Sequence, residues 1–474
     1  MLLNQMQWQI KPGWWHFTGV GGVTTGQLAV ALAAQGKTVT GSDENIFEPM
    51  KSYLSEHAGV KLRISYNFRN LIYSTYSLDS ADEFLIPEVI VAQGALAENH
   101  KELLFAHKRG IPILNFAQVL EQQLIVKNKS IVVAGSFGKT TTTALLVKIL
   151  QAAGKPLSYM IGAIVPDFDT GIQLKTETTE YSVIEGDEYI SSRSDYQSKF
   201  FHYHPQYLLL SGYAYDHTDV FATTEEYYAN FQKLIMQLPT TAVVVYNAKY
   251  PELEKLAGQA SGKIIAYKLD SELGDAVGQM PAQLLGSFNR ENILGAVTMA
   301  LELGVSMAVC QQTVAEFKGP KRRLEKVWEG FLPKTGALLQ IIDDFGASPA
   351  KAKASLEALR AEFPEANIVA VFEPNIGNRT MAALGEYNQA FANANSLLLP
   401  KFSHIIQQGV ISEQEIYDYL NKATNVNVII ENGTKAELAK HCLHLVDAGK
   451  QNILIFLSSH SIDEVLTEIK VQLS

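Results

Sequence analysis

The stretch Ala134-Gly135-Ser136-Phe137-Gly138-Lys139-Thr140-Thr141-Thr142-Thr143 carries the densest chemistry in the chain. It follows a short apolar run, Ser130 to Val133, and opens a helical pattern reaching Gln151. A glycine-bearing strand-to-helix turn that ends in Lys-Thr offers backbone N–H groups and a positive helix end to a polyphosphate. In that reading Gly135, Ser136 and Gly138 cradle the phosphates and Lys139 reaches the outer ones. The hydroxyl of Thr140, with Thr141 beside it, completes the shell of a Mg²⁺ ion. The common spacing puts glycine six residues before the lysine; Val133 stands there, so the loop is a shorter variant. The alternative is a glycine-containing turn at an ordinary strand–helix junction. Four consecutive threonines open a helix poorly unless a ligand or metal holds them.

Other residues could serve the same chemistry. Glu185 ends the apolar run Tyr181 to Ile184, with Asp187 and Glu188 just beyond, and His217 follows a second apolar run, Tyr207 to Leu210. In a parallel α/β sheet both positions fall at the carboxyl edge that holds the phosphate loop. A carboxylate and a neutral imidazole there can ligate Mg²⁺ beside transferring phosphates. Each could also be a solvated strand end and a turn histidine. Gly286-Ser287-Phe288-Asn289 leads through Asn292 into a helical pattern ending at Leu303. An asparagine amide both donates to and accepts from an adenine edge, which makes Asn292, supported by Asn289, the candidate for base recognition; a simple helix start is the alternative. Arg322 and Arg323 follow Gly319-Pro320, a natural hinge. A guanidinium fork there suits phosphate, or the cluster is a solvated face.

The elements that must position these groups read as alternating strands and helices. Trp15 to Thr18 is a strand, Gly19-x-Gly21-Gly22-x-x-x-Gly26 a turn into a helix to Ala34, and Thr38 to Thr40 a strand ending at Gly41-Ser42-Asp43. A βαβ unit with an acidic residue after strand two suggests dinucleotide binding, but the third fingerprint glycine would fall at Thr24. Anion binding and plain close packing both remain open for this turn. Strands follow at 89–91 and 112–114, then a polar linker, Val126 to Lys129. Thr241 to Tyr246 is a further central strand. In the last third, strands at 337–342, 368–372, 396–399, 426–430 and 452–457 alternate with helical patterns. Ser348-Pro349 supplies a cap and a first-turn proline. That is a parallel sheet covered by helices.

At 474 residues the chain exceeds one ordinary core, and three domains are expected, over 1–126, 127–319 and 320–474. Hydrophobic content of 47% against 19% charged residues describes a protein with a sizeable interior. Net charge of −10 argues against a nucleic-acid partner, so an anionic substrate must be met by local cations. Two distant cysteines, Cys310 and Cys442, exclude a disulfide scaffold and suit a reducing cytoplasm. No apolar run has the length of a signal peptide or membrane span, which also points to the cytoplasm and no membrane partner.

Read in order, these motifs resemble the Mur ligase family, the ATP-dependent amide-forming enzymes of peptidoglycan synthesis. Members carry Gly-Thr-x-Gly-Lys-Thr-Thr at the phosphate loop. Further matches are Glu185-Gly186-Asp187-Glu188, Tyr215-Asp216-His217-Thr218-Asp219-Val220-Phe221, Asn289-Arg290-Glu291-Asn292, Lys321-Arg322-Arg323-Leu324-Glu325 and Asp343-Asp344-Phe345. The resemblance implies an α/β protein of three domains: a Rossmann-like N-terminal domain, a central P-loop ATPase-type parallel sheet, and a Rossmann-like C-terminal domain supplying the amine component. It implies ATP and Mg²⁺, with Lys139, Glu185 and His217 catalytic, and Thr140, Glu185 and His217 on the metal. It places Arg323 and Asp344 near the nucleotide, and a UDP-sugar diphosphate at Gly19, Gly21 and Gly22, with Ser42 and Asp43 beside it. The implied reaction joins UDP-N-acetylmuramate to an amine donor by way of an acyl phosphate, in a monomer or homodimer.

Within the family, Val371-Phe372-Glu373-Pro374 and the length before Glu185 point to the murein-recycling branch, whose donor is L-Ala-γ-D-Glu-meso-diaminopimelate; the branch that adds L-alanine is the alternative. Recycling relatives carry Arg-Ser-Asn-Thr-Met after Glu-Pro. Here Asn375-Ile376-Gly377-Asn378-Arg379-Thr380-Met381 follows, which nominates Arg379 for a peptide carboxylate, or leaves it a solvated loop arginine. Departures from the pattern are Phe288 in place of histidine, Ala347-Ser348 in place of His-His, and Gln232-Lys233 where some branches carbamylate a lysine. Ser458-Ser459-His460-Ser461 replaces a glycine-rich turn. They motivate a reading from another class, an inactive nucleotide-sugar-binding regulator. Retention of Lys139, Glu185, His217, Asn292 and Arg323 argues against it.

Overall fold

Among the described residues, three α/β sheets follow one another along the chain, with a two-stranded hairpin, Ile190–Ser192 and Asp195–Ser198, beside the second. The structure, a computed structural model, describes residues 7–48, 50–57, 59–74, 83–97, 99–126, 129–215, 220–333, 335–402, 409–423 and 426–473. The first sheet runs Val60–Ile64, Thr38–Asp43, Gln7–Thr18, Glu83–Ala92 and Tyr73–Ser74, with Ile113–Asn115 also paired to Glu83–Ala92. Only Tyr73–Ser74 is antiparallel. The strand expected at Trp15 is longer than its apolar core. Gln7–Thr18 crosses Pro12-Gly13 by a register shift between Lys11 and Trp15, with Gly13 at φ +75°. A bulge absorbs the proline and glycine that would otherwise end the strand.

The seven-stranded central sheet has the order Lys263–Tyr267, Val243–Asn247, Tyr207–Leu210, Ser130–Ala134, Tyr181–Gly186, Leu157–Met160 and Ile172–Gln173. All pairs are parallel except the last. Its register decides where the chemistry falls. Glu185 lies opposite Val133, while Gly186 and Leu210 both lie opposite Ala134. The loops after three neighbouring strands therefore leave at one level, around the phosphate turn.

The third sheet holds the five parallel strands expected, in the order Leu338–Asp344, Asn452–Ser458, Asn367–Glu373, Ser396–Pro400 and Asn427–Glu431. It adds an antiparallel edge strand, Glu325–Phe331, that the sequence did not announce. Alternate residues of Asn452–Ser458 enter separate cores: Ile453, Ile455 and Leu457 pack with the helix Pro349–Glu362, and Leu454 and Phe456 pack with helices Lys435–His444 and Asp463–Leu473. Burial on both faces is why such strands read as unbroken apolar runs.

The first two sheets fall in one compact unit, residues 1–281 and 291–316, and share a core containing Phe17, Leu28, Leu120, Val132, Ile184 and Leu208. Residues 282–290 and 317–474 form the other unit. Among the described residues no helix is long and apolar enough to cross a membrane.

Candidate functional site

The phosphate turn owes its shape to two glycines and to ties from the neighbouring strand end. Gly135 and Gly138 have φ of +133° and +81°, a region costly for other residues. A Cβ on Gly135 would stand 2.7 Å from Gly212 O, and one on Gly138 would clash with Asn292 Oδ1. Ser136 N–H donates to Gly212 O at 2.9 Å, and its hydroxyl donates to Ala214 O at 2.6 Å while accepting the Ala214 N–H. Ser211 Oγ donates to Phe137 O at 2.6 Å. Ser136 thus fastens the turn to the 211–214 segment, and Gly138 presses against Asn292. The helix Lys139–Ala152 starts directly after Gly138, and its four opening threonines are all buried.

Lys139 folds back over this turn. Its Nζ donates to Gly135 O at 2.6 Å and to Glu188 Oε2 at 2.7 Å. Burial pulls the ammonium down, but the Glu188 and Asp187 carboxylates outweigh it and hold Lys139 above the ordinary lysine value. Glu188 is fully buried and also accepts from the Tyr227 hydroxyl at 3.3 Å, which is 2.8 Å from Ser136 Oγ. Glu185 accepts from Thr140 Oγ1 at 2.8 Å and from the Gly162 N–H at 2.8 Å. Burial pushes its carboxyl above the usual range against the opposing pull of Lys139. Asp187 pairs with Lys199 at 2.5 Å; that charge, with Lys139, overcomes burial and keeps it below the ordinary value.

Lys139, Thr140 and Glu185 therefore meet as the sequence suggested, and Glu188 and Tyr227 join them. Tyr227, which no motif singled out, arrives from the helix Thr224–Met236. His217 lies outside the described residues, as do Asp216 and Asp219. Among the described residues no group of three or more histidine, cysteine, aspartate or glutamate side chains could hold a metal. A hydroxyl and a buried carboxylate bonded to each other still fit a hard cation that takes few protein ligands and completes its shell with phosphate oxygens.

On the other flank, Asn247 ends its strand fully buried and donates to Ser211 O at 3.2 Å and Glu291 Oε2 at 3.1 Å. Lys249 pairs with Glu291 at 2.6 Å. This network of Asn247, Glu291 and Ser211 braces the phosphate turn beside Asn292, and sequence reasoning missed it. Asn289 donates to Leu285 O at 2.8 Å, an assignment within its own helix start.

In the first sheet the glycine turn hangs on Ser42: its carbonyl accepts the N–H groups of Gly19 and Val20 at 2.8 and 3.2 Å. The Asp43 carboxylate takes the Gly21 N–H at 2.8 Å. Behind the turn sits Glu102, which carried no signal in the sequence. Its Oε2 accepts from Thr18 Oγ1 at 2.8 Å and Ser42 Oγ at 2.7 Å, with His16 Nε2 at 3.4 Å. Its Oε1 accepts from Asn67 N at 3.0 Å and Asn70 Nδ2 at 2.9 Å. Burial would raise this carboxyl, yet His16 and the hydrogen bonds hold it at about 2.

In the second unit Arg322 and Arg323 both lie over the Phe345 ring but differ in their polar partners. Arg322, at φ +60°, pairs with Asp343 at 3.0 Å and donates to the carbonyls of Ser458, Ser459 and His460. It staples the turn at Ser458 to His460. Arg323 lies over the Phe345 ring at 5.1 Å. Both oxygens of Asp344 accept from within the unit, from Leu324 N at 3.0 Å and Ser355 Oγ at 2.6 Å. Arg379 is 3% exposed, donates to Pro374 O at 2.8 Å, pairs with Glu373 at 3.3 Å and stacks on Phe402. It is an interior ion pair and not the solvated loop arginine of the alternative.

The Mur ligase middle domain matches residues 133–300, and the Mur ligase family catalytic domain matches residues 15–127. A UDP-N-acetylmuramate–L-alanine ligase of Desulfitobacterium hafniense is 28% identical over 408 residues, covering 81% of this chain and 83% of its own. The crystal structure of a UDP-N-acetylmuramate–alanine ligase from Thermotoga maritima superposes with a TM-score of 0.71 at 19% identity, over 97% of this chain and 98% of that one. A murein peptide ligase from Psychrobacter arcticus gives a TM-score of 0.66 at 23% identity, over 96% and 98%. With two family domains matched in order, and the phosphate turn, Lys139 and Glu185 assembled at one sheet edge, the chain belongs to the Mur ligase family of ATP-dependent ligases.

Proposed function

We propose that this ligase joins the carboxylate of UDP-N-acetylmuramate to the amine of L-Ala-γ-D-Glu-meso-diaminopimelate, in the cytoplasm, during peptidoglycan recycling. The observation that carries the reaction type is the cluster of Lys139, Thr140 and Glu185 at the carboxyl edge of the central sheet. In the reaction, a substrate carboxylate oxygen attacks the γ-phosphorus of ATP, releasing ADP and leaving an acyl phosphate. The donor amine then adds to the acyl carbon, and phosphate departs from the tetrahedral intermediate. The chain's part is positioning and charge. The turn at Gly135–Gly138 supplies backbone donors, and Lys139 exchanges Glu188 for the outer phosphates. Thr140 and Glu185, with His217, would hold Mg²⁺, which when bound neutralises phosphate charge. Asn292, beside the turn, is the proposed base contact; Arg323 and Asp344 are proposed for the nucleotide as well.

The peptide donor rests on the motifs Lys321 to Glu325, Asp343 to Phe345 and Val371 to Pro374. A second reading, L-alanine as donor, is favoured by the names of the relatives similar over most of the chain. ADP release with UDP-N-acetylmuramate and either donor separates them. A higher kcat/KM with the tripeptide is expected. Equal or faster release with L-alanine replaces the assignment by the second reading, and binding of the UDP-sugar with no release by either donor leaves a regulator.

A further inference from the structure

The glycine turn of the first sheet lacks a cation of its own. Residues 19–24, 42–46 and 93–97, which form the turn and the two neighbouring strand ends, contain no lysine, arginine or histidine. They do present a carboxylate, since Asp43 occupies the Gly21 N–H. A diphosphate placed there meets negative charge unless a cation comes from elsewhere. The central domain supplies one. Its hairpin Ile190–Ser192 and Asp195–Ser198 leaves the phosphate site at Glu188 and turns at Arg193-Ser194. That turn is fastened to the first sheet: Arg193 N–H donates to Gly94 O at 3.3 Å, and a Cβ on Gly94 would stand 2.7 Å from Ser191 O. The neighbouring Gln93 packs on the glycine turn, its Oε1 2.6 Å from where a Cβ of Gly19 would lie. Arg193 is exposed, and among the described residues its guanidinium has no hydrogen-bond or ion-pair partner. The nearby carboxylate that could have taken it, Asp195, is held by His202 at 2.8 Å and Asn115 at 3.1 Å.

We infer that Arg193 is the diphosphate-binding cation of the nucleotide-sugar site, delivered across the domain boundary by the hairpin that begins at Glu188. This inference rests on the proposed UDP-sugar substrate. It makes binding of the sugar nucleotide depend on the docking of the hairpin against Gly94. A planar guanidinium gives two parallel donors to a diphosphate, which an ammonium does not.

The test is calorimetric titration of the full chain and of its R193A and R193K variants with UDP-N-acetylmuramic acid, with UDP, and with ATP. R193A is expected to weaken UDP-N-acetylmuramic acid and UDP together by roughly tenfold to a hundredfold, with ATP affinity unchanged and R193K restoring part of the loss. Wild-type affinity for UDP should fall more steeply with salt than that of R193A. If the wild type binds the sugar nucleotide and R193A binds it within twofold, this inference is overturned while the proposed function stands. A loss for UDP-N-acetylmuramic acid without one for UDP puts the cation on the carboxylate and also overturns the diphosphate assignment. Failure of the wild type to bind any UDP-sugar removes the proposed function and this inference with it.

Discussion

Replacing Glu102 by glutamine should destabilise the first sheet by about 2 to 3 kcal/mol at neutral pH without unfolding it, and the deficit should vanish in acid. The carboxylate is fully buried and collects Thr18, Ser42, Asn67 and Asn70 as donors, with His16 close by. A glutamine amide can keep most of these bonds. Its oxygen can serve Asn67 and Asn70, whose groups only donate, and its NH₂ can face two hydroxyls free to turn and accept. What is lost is the charge. Folding lowers the carboxyl from its ordinary 4.5 to about 2. Since each tenfold in a proton equilibrium is worth about 1.4 kcal/mol, that displacement corresponds to about 3 kcal/mol. The sign follows from the folded state binding fewer protons. The stabilisation is complete above pH 4.5 and is lost as pH falls towards 2. Alanine leaves the fully buried Thr18 and Ser42 hydroxyls without their shared acceptor and should cost more, about 4 kcal/mol. Amide exchange at Val39 and Phe17, read from pH 6.5 down to 3.5, reports this sheet without requiring the whole chain to unfold in one step. The gap between wild type and E102Q should narrow by about 1 kcal/mol at pH 3.5. A gap below about 0.5 kcal/mol at neutral pH, or one that does not move with pH, would show that the carboxylate is not the hub its contacts suggest.

Lys139→Ala should abolish ADP release, by at least about a hundredfold, in a protein that stays folded, because a charge contact to transferring phosphates is worth roughly 3 kcal/mol or more. Turnover measured alongside circular dichroism checks it; near-normal release in a folded variant refutes the phosphate-turn assignment. Glu185→Ala and His217→Ala should each raise the Mg²⁺ needed for half-maximal activity, and together should cost far less than the sum, since ligands of one ion act as a unit. Additive losses would place them at separate sites. Gly138→Ala should lower both ATP affinity and melting temperature, because its φ of +81° disfavours a side chain and the new methyl meets Asn292; an unchanged melting curve would contradict that geometry.

What could be read from the chain beforehand follows the spacing of the groups involved. The phosphate turn was legible because Gly135, Gly138, Lys139 and Thr140 are contiguous, and Glu185 because it ends an apolar run whose register with Ser130–Ala134 is set by burial. Glu102 was not legible, because its partners lie at residues 16, 18, 42, 67 and 70 and only folding brings them to one oxygen pair. Local pattern failed in two further places for physical reasons. The Pro12-Gly13 pair resembles a strand break but is taken up by a bulge, and the edge strand Glu325–Phe331 is half exposed, so its alternation is weak.

The arginines show where residue type alone stops being informative. Arg322 and Arg323 are adjacent, chemically identical and both set over the Phe345 ring, yet it is Arg322, with its left-handed backbone, whose guanidinium also meets Asp343 and three carbonyls of the 458–460 turn. The same logic reassigns Arg379. The sequence nominated it to meet a peptide carboxylate, and in the fold a carboxylate does meet it, that of Glu373 on the preceding strand. To reach a substrate, this buried guanidinium would have to give up Glu373, the Pro374 carbonyl and the Phe402 ring together, a cost of about 1 to 3 kcal/mol. Selection between a tripeptide and L-alanine is therefore expected to lie with groups other than Arg379. Arg379→Ala should lower the stability of the third sheet while leaving the ratio of kcat/KM for the two donors unchanged; a shift in that ratio with stability retained would return Arg379 to the substrate.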